Sequence, residues 1–551
     1  MSIARTDGFV FPTLASIWRK SRLSSAILIT GAALISLGRP KLSGLRTNGS
    51  SAHSPRMLRV VATATVLAIA AFLRLSQLAL KPLHHDEAVN GFFLLGLFRE
   101  GIYRYNAANY HGPTLYYFAL ISSSMNNLLF NVEGPTTSAI RLVPALFGLG
   151  IVGLVFRFRD RLGQVGVLFA AGLLAFSPGM VYLSRDFIHE TLLGFFTLWL
   201  VACGVQFYDT RRPRPLLLGS IAAALMFSTK ETAPISLAAI AIAALLTVLL
   251  VPSPTKLSAS EFGGWQRIVL LLSGSVALFA ACTFLFFSSF LSDTSEGIRA
   301  AVRTYSYWFR TGMSQHRAPW YAYLNWLLRE EPVILFSATC GTALALFHRR
   351  NRFALFAGLW SFTLLFAYSL LPYKTPWILE NALLPMSLAA GYAAEQLWNA
   401  TFPVSGKMWR RLVPVSVIAG TLLFTLYQSA QLNFYHYDDD HYVYPYVQTQ
   451  RGFLDLVQQV ERFADLNGAG NNTSVAIMAP EYWPLPWYLR NYKNTAYFGK
   501  PLATNASMVI ASVRQLPELR LLLADHYRLI GTYPMRPGVQ LVLYAANGTG
   551  K

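Results

Sequence analysis

Long apolar runs alternate with short polar stretches along most of this chain. Runs of about 17–24 apolar residues match the ~30 Å hydrocarbon core of a bilayer, and each reads as a transmembrane helix. The pattern predicts eleven, near residues 58–80, 138–156, 163–183, 190–208, 215–229, 232–251, 267–290, 332–347, 353–371, 377–397 and 411–430. The stretch from Pro113 to Phe130 is similar in length but carries Ser122, Ser123, Ser124, Asn126 and Asn127, a poor composition for hydrocarbon. Beyond residue 430 the pattern changes. Thr473–Ala479, Ser507–Ala511 and Gln540–Tyr544 read as short buried strands, with helical stretches near 451–466 and 515–525 between them. The fold class is therefore mainly α: a polytopic membrane bundle of about eleven transmembrane helices with a small C-terminal α/β domain. Three regions follow: a cytoplasmic N-terminal extension over 1–56, a transmembrane domain over 57–430 and an extracytoplasmic α/β domain over 431–551. The extension holds a short apolar run and Arg39, Lys41, Arg46 and Arg56. Met57, which opens the first strong span, is an alternative start.

Composition agrees with the pattern. Of the 551 residues, 54% are hydrophobic and 13% charged, against about 25% charged in an ordinary soluble chain. The net charge of +20 does not point to nucleic acid, because the basic residues sit in short loops between spans and form no aromatic reading platform. Cys203, Cys282 and Cys340 all lie in apolar segments and read as small hydrophobic residues, not as disulfide partners or metal ligands.

The loops also give a topology. Arg56 and Arg59 hold the start of the first span in the cytoplasm, so Asp86 and Glu87 emerge outside. If residues 113–130 crossed the membrane, most later basic loops would be inverted. If that stretch lies along the interface as a helix, then Arg157–Arg161, Arg211–Arg214, Lys256–Arg267, His348–Arg352 and Lys407–Arg411 all fall on the cytoplasmic face. The same assumption puts Leu83–Ala88, Ser184–Glu190, Ser228–Thr232, residues 291–331, Pro372–Trp377 and the C-terminal region outside.

Those external loops carry the polar chemistry. Asp86, Glu87, Asp186 and Glu190 supply carboxylates; Arg185, Lys230, Lys374, His84, His85 and His111 supply donors. Nucleotide-activated donors are scarce outside the cytoplasm, and the chain has no Gly-rich phosphate loop. A lipid-linked donor reaches such a site from the side. Transfer from a lipid phosphate needs a carboxylate base for the acceptor hydroxyl and cations for the departing phosphate. Taken one at a time, each of these residues reads equally well as an interfacial charge or helix cap. The external loop 291–331, with Arg299, Arg303, Arg310, Trp308, Trp320 and Trp326, reads first as interfacial anchoring and second as sugar stacking. The Asp438-Asp439-Asp440 run between His436 and His441 has donors for a divalent ion, and reads more simply as a solvated linker.

The run His85-Asp86-Glu87-Ala88-Val89-Asn90, then Gly101-Ile102-Tyr103-Arg104-Tyr105 and Tyr110-His111-Gly112-Pro113, resembles the protein O-mannosyltransferase-like branch of the GT-C glycosyltransferases, often labelled flippase-activity-associated. The resemblance continues through Arg141-Leu142-Val143-Pro144, Lys230-Glu231-Thr232, Tyr373-Lys374-Thr375-Pro376-Trp377 and Tyr482-Trp483-Pro484-Leu485-Pro486-Trp487-Tyr488-Leu489-Arg490, covering residues 58–545. It implies an inner-membrane glycosyltransferase with a GT-C-like bundle. Such an enzyme takes a sugar from a polyprenyl-phosphate donor to a glycan, lipid or protein acceptor, with inversion, on the extracytoplasmic face. On that resemblance Asp86 is the general base, with Glu87 and Glu190 beside it in catalysis. His85, His111, Arg185, His189, Lys230 and Lys374 bind substrate. Relatives usually end the second external loop in an Arg-Asn-Asp type sequence. Here Ile188-His189-Glu190 stands in that place, which leaves the use of a divalent cation open. The alternative is a non-catalytic partner of a lipid-linked glycan flippase or transporter. Spans nearly free of charge disfavour transport through the bundle.

Overall fold

The computed structural model describes residues 55–109, 111–252, 258–314, 316–401 and 408–547. The N-terminal extension before Pro55, Tyr110, Lys256 and Lys407 lie outside the described residues. Ten of the eleven expected spans each hold one α-helix, and the one expected at 163–183 holds two. The first is α1 (Pro55–Leu75), followed by α2 (His85–Glu100), α3 (Thr114–Phe130), α4 (Thr137–Val155), α5 (Gln164–Phe176) and α6 (Pro178–Leu183). Then come α7 (Glu190–Thr210), α8 (Pro213–Phe227), α9 (Ala233–Leu250), α10 (Trp265–Phe287), α11 (Thr294–Ser314) and α12 (Ala322–Glu330). The bundle closes with α13 (Pro332–His348), α14 (Arg352–Leu370), α15 (Leu379–Thr401) and α16 (Met408–Ala430). Among the described residues seven helices are long and apolar enough to cross a membrane, or eight if the bent pair α12 and α13 counts as one span. α3 is not one of them. It packs on α2 and α4 and leaves Leu128, Leu129 and Phe130 exposed at its tip.

α15 is buried along most of its length and is the hub of the bundle, packing on α5, α13 and α14. Small residues let the backbones touch, the packing mode that membrane helices favour. A Cβ on Gly391 would lie 2.5 Å from the Gly166 carbonyl oxygen, and one on Gly341 would lie 1.9 Å from that of Ala389. The span expected at 163–183 breaks between α5 and α6 at Ser177-Pro178. Proline cannot continue a helix, and Ser177 caps the restart by accepting from Met180 N.

The C-terminal region carries α17 (Phe453–Leu466), α18 (Leu516–Leu523) and a five-stranded sheet of β1 (Ser474–Ile477), β2 (Asn494–Tyr497), β3 (Met508–Ser512), β4 (Tyr527–Arg536) and β5 (Val539–Ala546). The strand order is β2-β1-β3-β5-β4, with β1 parallel to both neighbours and β5 antiparallel to both of its own. β1, β3 and β5 are the three expected strands. The other two escape the sequence pattern: β2 is a half-exposed edge, and β4 contains Gly531 and Pro534 and shifts register twice.

Candidate active site

The first acidic loop is fixed from several directions. His84 caps α2 by accepting from Asp86 N, and Glu87 returns a bond to His84 N, a reciprocal capping box. Glu87 is fully buried, and each of its oxygens is used twice. Oε1 accepts from Arg141 Nε (2.7 Å) and Phe187 N (2.8 Å), and Oε2 accepts from Arg141 (2.7 Å) and His84 N (2.9 Å). Burial alone would raise the Glu87 pKa; the adjacent Arg141 guanidinium outweighs it and holds the carboxylate below its ordinary value. Arg141 spends its remaining donors on the carbonyls of Leu78, Lys81 and Pro82.

The second acidic loop is tied to the same frame. Lys81 pairs with Asp186 and lies 3.4 Å from the centre of the Tyr182 ring. Burial dominates both partners, lowering the Lys81 ammonium to about 8 and raising the Asp186 carboxyl. Arg185 donates to the carbonyls of Leu73, Ser76 and Gln77, which closes the end of α1. The C-terminal region clamps the first loop: Thr449 and Gln448 donate to the carbonyls of Leu83 and Pro82, and Leu83 N donates to the Tyr488 hydroxyl. Trp487 packs on the bare Cα of Gly91, where a Cβ would meet the ring at 2.5 Å. The tail motif around Tyr488 thus holds the catalytic-loop candidate in place.

What this frame leaves open is a cavity of about 570 Å³. It receives His84, His85, Asp86, His111, His189, Glu190 and Lys230 together. Asp86 and Glu87 therefore point to opposite fates, with side-chain exposures of 45% and 0%. Among the described residues the Asp86 carboxylate accepts no hydrogen bond; His84 Nδ1 lies 3.9 Å from it. Because that Nδ1 accepts from Asp86 N, neutral His84 carries its proton on Nε2.

A second group of charges forms the cavity floor. Lys230 is ion-paired with Glu190, and Glu231 lies 2.9 Å from His111 Nδ1. Burial opposes the Lys230 charge, but Glu190 and Glu231 more than offset it and raise the pKa. Glu231 is likewise held low by His111 and Lys230 against its burial. The His189 pKa is driven well below its ordinary value by burial, then by His111 and Lys230, which favours the neutral imidazole. Its Nε2 lies 3.1 Å from the Gly112 carbonyl and donates to it. Gly112 is the hinge of this floor. Its N–H donates to the Thr229 carbonyl and Thr114 N to that of Ser228, so a Cβ on Gly112 would sit 2.0 Å from Ser228 O. Gly112→Ala is expected to destabilise the protein by about 1–3 kcal/mol and to separate His111 from Glu231. Thermal unfolding of the purified variant checks the first effect, and an altered pH profile of activity the second.

Three residues expected to act in catalysis or binding do not reach the cavity. Glu87 and Arg185 belong to the buried frame described above. Lys374 turns back onto the last turn of α14 and donates to the carbonyls of Tyr368, Ser369 and Leu371. All three are held by hydrogen bonds away from the cavity lining. Several cavity residues were not expected as site residues, among them Glu231, His316, Tyr446 and Arg536. Glu231 was visible only as part of a motif. His316 comes from the 291–331 loop and Tyr446 from the segment after α16. Arg536 is delivered by the end of β4 from far along the chain. His316, Tyr373, Tyr446 and Trp377 form an aromatic wall with ring centres 5.3–6.0 Å apart. The Asp438 run is elsewhere: Asp438 binds Arg451, while Asp439, Asp440 and His441 group at the surface.

The family model described as dolichyl-phosphate-mannose-protein mannosyltransferase matches residues 111–276, from the His111 of the cavity floor to α10. No curated protein matches the chain. Two crystal structures of ArnT from Cupriavidus metallidurans are similar in fold. One, bound to undecaprenyl phosphate, has a TM-score of 0.58 at 13% identity, covering 89% of this chain and 99% of that one. The other, in the apo state, has a TM-score of 0.59 at 14% identity, covering 88% and 97%. The chain has the GT-C glycosyltransferase fold. In this GT-C bundle the cavity lies where the first acidic loop, the α6–α7 loop and the C-terminal region converge.

Proposed function

We propose that the protein is an inverting membrane glycosyltransferase that moves a sugar from a polyprenyl-phosphate carrier to an acceptor hydroxyl, with its cavity on the extracytoplasmic face. The observation that carries this reading is the division of labour between two neighbouring carboxylates. Glu87 is saturated with hydrogen bonds, whereas Asp86 stands in the cavity with no hydrogen bond to its carboxylate among the described residues. A free carboxylate within reach of bound substrate is what a general base requires.

Asp86 takes the acceptor proton as the acceptor oxygen attacks the anomeric carbon. The bond to the lipid phosphate breaks on the opposite side of the sugar, which inverts the centre. The departing phosphate needs positive charge. Lys230 supplies it only in part, because Glu190 already neutralises it. Arg536 lines the same cavity and has no carboxylate partner among the described residues, so it meets the phosphate more directly. The aromatic wall suits the apolar face of a sugar. The ArnT structure holds undecaprenyl phosphate in this fold, and a cavity of 570 Å³ has the size of ordinary small-ligand sites, roughly 300–1,000 Å³.

The test is incubation of purified protein with labelled polyprenyl-phosphate sugars, scoring transfer or hydrolysis. No turnover of any donor, by protein that still binds them, would favour the non-catalytic partner. Arg536→Gln is expected to raise the apparent KM for the active donor roughly tenfold or more, since a charge-assisted hydrogen bond contributes about 1.5–3 kcal/mol. Steady-state kinetics at varied donor concentration would show it, and an unchanged KM would remove Arg536 from phosphate binding.

A further inference from the structure

A second cavity, of about 550 Å³, opens at the other end of the bundle. α14 connects the two. It begins at Arg352, beside the second cavity, and its end at Leu370 leads directly into Leu371, Pro372 and Tyr373 of the first. Nineteen helical residues rise about 28 Å, close to the thickness of the hydrocarbon core. α15 repeats the relation, running from the Trp377–Ile378 side of the first cavity to Tyr392 and Gln396 in the second. The two cavities thus lie on opposite faces of the membrane.

The lining is basic and concave. Arg161, His348, Arg350 and Arg352 face it, with Tyr392 and Gln396 as neutral hydrogen-bonding groups. The one carboxylate in the lining, Asp160, lies 3.6 Å from Arg159. Arg161 is paired with Asp209, but Arg350 makes no ion pair or hydrogen bond among the described residues. Among the described residues the Arg352 side chain reaches only the Tyr208 hydroxyl, at 3.5 Å, and its Nε is buried without a partner. The start of α14 adds to this. Its cap Asn351 accepts from Ala354 N, while the first N–H groups, of Arg352 and Phe353, have no acceptor within the helix. Guanidiniums and a helix N-terminus converge on one concave space, and the Arg352 Nε–H beside it is buried without a partner among the described residues. That combination binds a phosphate-type anion through charge-assisted hydrogen bonds. A bias of basic loops toward one face accounts for the sign of these charges. It does not account for their collection in a cavity with donors left over.

We propose that this cavity is an anion site for a phosphate group, supplied either by the headgroup of an anionic lipid of that leaflet or by a soluble phosphate. Basic pockets between membrane helices are suited to lipid headgroups. The site is independent of the transfer reaction assigned to the opposite face.

The full-length protein in phosphatidylcholine nanodiscs, titrated with phosphatidylglycerol and separately with inorganic phosphate, tests it. Native mass spectrometry reads retained lipid, and calorimetry reads phosphate. A lipid headgroup is expected to be retained about tenfold over phosphatidylcholine, and Arg350→Gln should erase that preference. Arg350 is exposed and, among the described residues, makes no hydrogen bond or ion pair, so this variant keeps its fold. Arg352→Gln should act in the same direction and Arg352→Lys should restore part of the effect. Phosphate binding that is lost in the same variants, without a lipid preference, assigns the site to a soluble phosphate. Equal retention of both lipids together with no phosphate binding, or binding unchanged in both glutamine variants, would overturn the proposal.

Discussion

Asp86→Asn is expected to lower sugar transfer by on the order of 10²–10⁴-fold while the protein inserts, purifies and unfolds as the native chain does. The substitution keeps the volume and the planar shape of the side chain and removes only the capacity to take a proton. The fold does not need that capacity, because no described group donates to the Asp86 carboxylate and the α2 cap is made by His84 and Glu87. Single-turnover transfer of labelled sugar by the purified variant measures the effect, with a melting curve as the control for folding. Glu190→Gln provides the contrast. It leaves Lys230 facing Glu231 alone and should change donor affinity as well as rate. A variant at Asp86 that still transfers sugar at a tenth of the native rate would exclude it as the base.

The sequence pattern located the helices of the bundle well, because a hydrocarbon core imposes one length and one composition on every helix that crosses it, although among the described residues only seven or eight are long and apolar enough to cross. It did less well at telling chemistry from scaffold. Asp86 and Glu87 are adjacent carboxylates in one motif, and composition cannot say which of them faces the cavity. The difference arises from helix phase at the start of α2 and from Arg141, which comes to Glu87 from α4, 54 positions away. Arg185 and Lys374, cations in external loops, are expected from the sequence to bind substrate. Both instead satisfy carbonyls at helix ends, a demand that every helix terminus creates and that leaves no mark in the local sequence. Arg536 was invisible for the opposite reason. It sits in an irregular strand of the tail, and only tertiary folding brings it beside His85. Glu231 was legible as part of a motif, but its contact with His111 depends on the bare backbone of Gly112 against Ser228.

The largest loss of stability is expected from breaking the Glu87–Arg141 pair. Both side chains are fully buried, and removing one partner of such a pair costs about 3–5 kcal/mol because the other charge is left without compensation. Replacing both with apolar residues, often harmless elsewhere, offers no escape here. Arg141 also satisfies the carbonyls of Leu78, Lys81 and Pro82, and Glu87 satisfies the N–H groups of His84 and Phe187. The double variant Glu87→Leu with Arg141→Met would orphan those five backbone groups. Arg141→Lys should fare little better, since an ammonium has three donors and cannot reproduce the planar fork that serves Glu87 and three carbonyls at once. Denaturation of the detergent-solubilised variants should therefore show a lower midpoint for Glu87→Gln, Arg141→Lys and the double variant, whereas Asp86→Asn keeps the native value. Transfer activity would fall in all four, but only Asp86→Asn would lose it with its fold intact. If Glu87→Gln kept native stability and lost only turnover, Glu87 would have to be moved from the frame back into the chemistry.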